Sequence, residues 1–350
     1  MPIIQAERLI KIGETLLIAA GSSAEEAECV ARLCVGSNLA GHDSHGIIAI
    51  PTYIDRVEKG HIVPGAPFEI EQESDTTTVI NGNWGFGFSV SERAMKMTIE
   101  KAQRGNVAAT TIYQQSHVGR VAAYPIMAAK AGMIGMMTAD SGRSPKSVAP
   151  FGGAEGRLGT NPICFAIPSN LDGTFFIDMA TSAVAAGKVK LALTRGQSIP
   201  EGWVVDKDGK PTTDPSDLSA GGVLLPLGGP EGHKGYGLSS IVEILSGILT
   251  GLGFGVEPTG KHNDGVFMAA FKVDAFRSLE TFKEEISEFA RYLKSTKKQV
   301  GVEEIYYPGE LEHLRAIARS RDGVEIEDAT WEKLKALGEK YNVTAQLPLD

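Results

Sequence analysis

The sequence predicts a mixed α/β protein in which a helical part, built from both chain ends, flanks a strand-rich middle. Helical apolar patterns fill the stretch up to Gly60, and short β-branched runs punctuated by glycine begin near Thr76. Amphipathic helical patterns return from Glu280 to the end. The expected division is a discontinuous helical domain, residues 1–75 together with 290–350, around a sheet domain, residues 76–289.

Each element has a local reason. Leu9, Ile12, Leu16 and Leu17 form a helical stripe that Gly21 ends. Ser23 with Glu26 three residues on reads as a capping box opening a second helix through Cys29, Val30 and Leu33. Pro51 starts a third helix, where its missing N–H costs nothing, and Gly60 stops it. Thr76 to Ile80 is a strand closed by Asn81-Gly82. A helix over 91–104 and a strand over 107–113 follow, then a helix over 121–131 and a strand over 133–138. Residues 163–167 and 175–177 are further strands, 184–193 a helix, and 195–222, rich in Pro, Gly, Thr and Asp, a long loop. An apolar helix over 236–252, a strand over 266–273 and helices over 280–293, 310–319 and 330–341 complete the chain.

At 350 residues with 42% hydrophobic side chains, the chain can bury a large core without disulfides. A formal net charge of −9 with no basic run argues against a nucleic-acid partner. No apolar stretch is long enough to span a bilayer, and the first residues do not read as a secretory leader. Cys29, Cys34 and Cys164 include no CxxC pair and read as small core residues. A cytoplasmic enzyme is the expectation.

Three segments carry chemistry. Gly41-His42-Asp43-Ser44-His45-Gly46 places polar side chains at a helix end; it is either an ordinary polar loop or a histidine acid held by a neighbouring hydroxyl or carboxylate. Ser116-His117-Val118-Gly119-Arg120 joins a strand to a helix start, where backbone N–H groups face outward and Arg120 adds a fixed charge. Gly228 to Gly237, with His233 and Lys234, is a glycine-rich anion cradle or a plain turn; it fits neither the P-loop nor the Rossmann pattern. Asp178, Thr181 and Ser182 read first as helix caps and second as ribose-hydroxyl partners. His42, Asp43, His45 and His117 also suit a metal-dependent hydrolase, but no zinc-binding spacing supports it. Ser44 or Ser116 as an acyl-transfer nucleophile lacks a G-x-S-x-G elbow.

Together these stretches resemble the non-Rossmann malate/L-lactate dehydrogenase family. The resemblance rests on Gly41–Gly46 with Tyr53, Ser116–Gly119, Ala149–Gly153, Leu158–Pro162, Asp178–Ser182, Gly187-Lys188, Pro211–Pro215, Leu225–Gly229, His233–Gly237 and Pro308–Glu310. The Ala40–Gly46 run and the Arg after His-x-Gly look most like a bacterial hydroxycarboxylate dehydrogenase subgroup. The resemblance implies a largely antiparallel sheet domain for the cofactor, a helical domain for substrate and dimerisation, and a homodimer with its sites near the interface.

It implies hydride transfer between NAD, or NADP, and a small 2-oxo or 2-hydroxy acid such as malate or lactate. The alternative within the class is a cyclic-imine reductase. The proton donor falls on His45 or His117, with Ser44 and Asp43 orienting the ring. The implied cofactor contacts are His45, Gly119, Arg120, Val121, Phe176, Ile177, Asp178, Met179, Ala180, His233, Lys234, Pro308, Gly309 and Glu310. Tyr53 is an implied substrate contact. Where many members hold the substrate carboxylate with Arg, this chain has Ala49, so Arg120 or Arg143 is expected to take over.

Overall fold

The computed structural model describes residues 1–140, 146–255 and 261–348. The strands in chain order are β1 (Ile3–Ile4), β2 (Glu69–Glu73), β3 (Thr77–Gly85), β4 (Val107–Gln115), β5 (Met133–Ala139), β6 (Ile163–Ile167) and β7 (Phe175–Met179). They continue as β8 (Val204–Val205), β9 (Pro211–Thr212), β10 (Val223–Leu224), β11 (Val266–Lys272) and β12 (Val324–Glu325). The helices are α1 (Ala6–Ala19), α2 (Ala24–Leu39), α3 (Ile50–Glu58), α4 (Gly87–Gly105), α5 (Pro125–Lys130) and α6 (Ala186–Thr194). Then come α7 (His233–Glu243), α8 (Leu279–Lys294), α9 (Glu310–Asp322) and α10 (Asp328–Lys340).

The main sheet has seven strands in the order β2-β3-β4-β11-β5-β6-β7. Its ladders are antiparallel except β3–β4, which is parallel. That pair needs a crossover, and α4 supplies it as a β-α-β unit. The sheet is therefore largely antiparallel and not doubly wound. Alternation on β4 and β5 buries Ala108, Ile112, Met133 and Met137 in one core beneath α4 and α5. A separate core joins Leu9, Ile12, Leu16 and Val30 from the N-terminal helices with Val324, Trp331 and Leu334 from the C-terminal end. The two ends are also stitched by β1 pairing with β12. Among the described residues no helix is long and apolar enough to cross a membrane.

Local expectations fail where tertiary structure outweighs local preference. Asn81-Gly82 does not end a strand: β3 runs on to Gly85 through an irregularity at Asn83 and Trp84, both at positive φ. The β2 edge strand escaped notice because Glu-Ile-Glu-Gln-Glu is exposed throughout and shows no alternation. The helix expected over 121–131 is a 3-10 turn followed by a short α5, broken where Pro125 enters. The loop over 195–222 contains β8 and β9, which pair with β10 just beyond it as a small antiparallel sheet beside an apolar cluster shared with Val148, Leu158 and Val184. The helix expected over 236–252 stops as an α-helix at Glu243 and passes into a π-turn over Ile244–Ile248.

Candidate active site

The capping box at Ser23 and Glu26 forms as the pattern required, and α2 delivers the chain to the Gly41–Gly46 loop. Asn38, buried near the end of α2, organises that loop. Its Nδ2 donates to Asp43 Oδ1 at 2.7 Å, and its Oδ1 accepts from the Ile47 N–H at 2.8 Å. A Cβ at Gly46 would lie 2.3 Å from the Asn38 amide, so glycine is required there by close approach. Asp43 also accepts from Arg319 of α9 at 2.7 and 3.1 Å. Asp43 is thus an anchor between chain ends and does not orient an imidazole. Ser44 does: its hydroxyl lies 2.9 Å from His45 Nδ1. His42 faces Glu312 of α9 at 3.5 Å.

Residues far apart in sequence converge on His117. The Tyr53 hydroxyl, buried on α3, lies 2.7 Å from His117 Nδ1. The His45 ring stacks on it, with centroids 5.7 Å apart and planes 27° apart. Phe88 and His262 approach edge-on at 6.5 and 5.4 Å. Gly119, at φ +70°, turns the chain past Phe88, whose ring would lie 2.3 Å from an added Cβ. Burial pushes His117 down to about 3, against the opposing pull of Asp264. His45 is also held below its ordinary value by burial, and by His42 and Arg120. Burial thus favours the neutral form of both rings.

His262 and Asp264, just before β11, were missed in the sequence because neither lies in a motif and the strand that carries them is recognisable only as an apolar run. His262 Nε2 lies 2.7 Å from Asp264 Oδ1, and Asp264 Oδ2 accepts from the Val118 N–H at 3.0 Å. Burial works to raise the Asp264 carboxyl, but His262, His117 and the Val118 N–H hold it below the usual carboxylate range.

Of the expected cofactor residues, Phe176–Ala180, Pro308–Glu310 and Arg120 lie at one edge of the sheet. β7 is a terminal strand, and the Phe176 N–H donates to the Pro308 carbonyl at 3.1 Å. Gly309, at φ +95°, sits against the Phe176 ring, where a Cβ would lie 2.6 Å away. Glu310 is occupied structurally, accepting from Lys294 and from the Tyr307 N–H. Asp178 accepts from the Ala122 N–H at 2.8 Å, next to Val121. It lies within the strand and caps no helix; α6 begins only at Ala186. Thr181 and Ser182 bond to nearby carbonyls instead. Burial raises the Asp178 carboxyl against the pull of Ala122 and Arg120. Ile177, Met179 and Ala180 complete this edge, Ile177 being exposed.

The Arg120 guanidinium lies 5.5 Å from the Phe176 ring centre, its Nε 3.9 Å from Asp178. That Nε is buried with no hydrogen-bond partner among the described residues. An orphaned guanidinium N–H beside an aromatic face and an edge strand suits a ligand with anionic groups and planar rings, so these residues fit a nicotinamide dinucleotide. His233 and Lys234 stand exposed at the start of α7. The Leu227 N–H ties the preceding loop to Thr181, beyond the end of β7, at 2.9 Å. No described contact joins His233 or Lys234 to the histidine cluster. Arg143 lies outside the described residues. Ala49 ends a 3-10 turn and packs on the helical core.

A second buried polar cluster went unread. The Lys146 side chain, 3% exposed, lies 2.9 Å from Asp140 and 3.1 Å from Glu243, and the Asn161 amide donates to Glu243 at 2.8 Å. It explains the Leu158–Pro162 turn: Asn161 sits at φ +38° because its side chain reaches α7.

Residues 4–335 match the malate/L-lactate dehydrogenase family. The chain belongs to that family. It is 38% identical over 334 residues, 94% of this chain and 95% of the relative, to malate/(S)-sulfolactate dehydrogenase of Methanothermus fervidus. Ureidoglycolate dehydrogenase (NAD(+)) of Escherichia coli is 34% identical, covering 95% of this chain and 94% of that protein. Malate dehydrogenase from Entamoeba histolytica superimposes with a TM-score of 0.93 at 34% identity, over 98% of both chains. Delta1-piperideine-2-carboxylate reductase from Pseudomonas syringae pvar. tomato gives 0.85 at 29% identity, over 96% of this chain and all of that one. This family member is an oxidoreductase, on the largely antiparallel sheet the motifs implied.

Proposed function

We propose that this enzyme interconverts a small 2-hydroxy acid and its 2-oxo acid with NAD, or NADP, and that His117 is the group that carries the proton. The observation behind this reading is the His117 ring itself. Its Nδ1 is engaged by the buried Tyr53 hydroxyl at 2.7 Å, which leaves Nε2 as the nitrogen for substrate. His45, steadied by Ser44, stacks beside it and serves as a contact for substrate or cofactor. A nicotinamide cofactor, when bound, supplies or accepts the hydride. Its binding residues are proposed to be Phe176–Ala180, Pro308–Glu310, Gly119–Val121, His45, His233 and Lys234.

Arg120 is the proposed anion partner on this edge, replacing the cation that Ala49 does not provide. A substrate carboxylate places a negative charge next to two rings kept neutral by burial. That charge raises their proton affinity, so substrate arrival itself loads the acid. In the oxidative direction neutral His117 takes the hydroxyl proton.

The names of relatives support hydroxy acids, and the reductase named above supports a second reading, a cyclic imine that carries a carboxylate. A homodimer is supported by an exposed apolar stripe along α7 and its π-turn: Tyr236, Ile241, Ile244, Ile248 and Leu249. The unpaired buried thiols of Cys29, Cys34 and Cys164 support a reducing, cytoplasmic location. We also retain the division into residues 1–75 with 290–350 and 76–289 as the working domain boundaries.

The test follows reduced-nicotinamide absorbance with NADH and NADPH against 2-oxo acids from pyruvate and oxaloacetate to phenylpyruvate, with a cyclic imine carboxylate in parallel. Turnover of an oxo acid is expected. Turnover of the imine alone favours the second reading, and no cofactor binding in calorimetry refutes both.

A further inference from the structure

The His117 segment is held from behind by one residue. β11 runs antiparallel to β4 with Val266 opposite Ile112, so the residues just before β11 face the segment just after β4. Asp264 uses this register at both ends of the segment. Its N–H donates to the Gln115 carbonyl at 3.0 Å, and its Oδ2 accepts from the Val118 N–H at 3.0 Å. The residues between those two anchors include His117. The other carboxylate oxygen lies 2.7 Å from His262 Nε2, and the His262 ring meets His117 edge-on at 5.4 Å. Asp264 is 2% exposed, so its charge acts with little solvent screening.

We propose that Asp264 and His262 form a positioning pair that fixes the His117 ring, with Asp264 balancing its charge while it holds the proton passed to or from the substrate oxygen. The inference rests on the role assigned to His117 above. The pair acts through His117 and needs no substrate contact. The Tyr53 hydroxyl settles where Nδ1 points, and Asp264 settles where the backbone beneath the ring lies. The other titratable or charged groups around His117 are His45 from the 3-10 turn and Tyr53 and Arg56 from α3. His45, His262 and Arg56 each disfavour a proton on His117; Asp264 favours it. Without Asp264 none of these neighbours would favour the proton on the ring.

The Asp264→Asn variant keeps an oxygen acceptor for the Val118 N–H and removes the charge. It is measured with His262→Gln and His117→Asn by thermal unfolding, by kcat and KM with the best oxo acid, and by the pH profile of kcat for reduction. Expected for Asp264→Asn is a kcat lower by about 10- to 100-fold with KM changed less than about threefold. The pH above which reduction falls off should move down by about one unit, because a ring without its counter-charge gives up its proton earlier. His262→Gln removes a group that disfavours a proton on His117 and should move the same limb up, by less, and it decides the matter if Asp264→Asn does not fold. An equal loss at every pH with the limb unmoved would make the pair structural and overturn the proposal. Full turnover in His117→Asn would overturn the His117 assignment itself; a dead His117→Asn beside normal profiles in both partner variants would overturn only the pair.

Discussion

Replacing His117 by Asn should make the protein more resistant to acid. Burial keeps the folded-state proton affinity of His117 at about 3, against an ordinary histidine value of 6.5. The unfolded chain therefore binds a proton that the folded chain refuses whenever the pH lies between those values. The neutral ring's contribution is intact above pH 6.5 and is lost progressively as the pH falls towards 3. Over the full window the shift corresponds to at most about 5 kcal/mol, and by pH 5 to about 2 kcal/mol, from 1.36 kcal/mol per unit. Asn cannot titrate and still offers Tyr53 a hydrogen-bond partner. Urea unfolding followed by tryptophan fluorescence at pH 7.5, 6 and 5 measures the effect. The stability gap between the two proteins should shift in favour of His117→Asn by about 2 kcal/mol between pH 7.5 and pH 5. Parallel curves across that range would refute the claim that His117 is held neutral.

Two further outcomes follow from single contacts. Tyr53→Phe removes the hydroxyl 2.7 Å from His117 Nδ1 and leaves a polar ring atom unsatisfied; kcat should fall by about 5- to 150-fold, equivalent to about 1–3 kcal/mol, with KM much less affected in steady-state assays. Lys146→Met strands Asp140 and Glu243 inside the protein; unfolding free energy should drop by about 3–5 kcal/mol in urea titrations, and adding Asp140→Asn should recover part of it.

Much of the architecture could be read locally. The Ser23–Glu26 capping box, the stripe of α1 and the alternation of β4 and β5 each follow from side-chain spacing alone, since one face of each element must be apolar to be buried. The exposed β2 strand carries no such signal, and Asn81-Gly82 reads as a turn unless the neighbouring β4 is known to continue the pairing. Among the candidate site residues, Ser44, His45, Tyr53, His117 and Arg120 were picked out by their motifs. Asp43 belonged to the same motif, yet its partner Arg319 lies at the far end of the chain.

Periodicity, caps and motifs are properties of neighbouring residues, so most of the elements, the helical chain ends and the family were legible in the sequence. Which charges meet depends on the three-dimensional packing. Sheet order set β11 beside β4 and brought Asp264 under the His117 segment, and the packing of α7 against β5 accompanies the pairing of Glu243 with Lys146. Such pairings depend on the register of strands distant in sequence, and burial rather than residue type then fixes the protonation of the histidines.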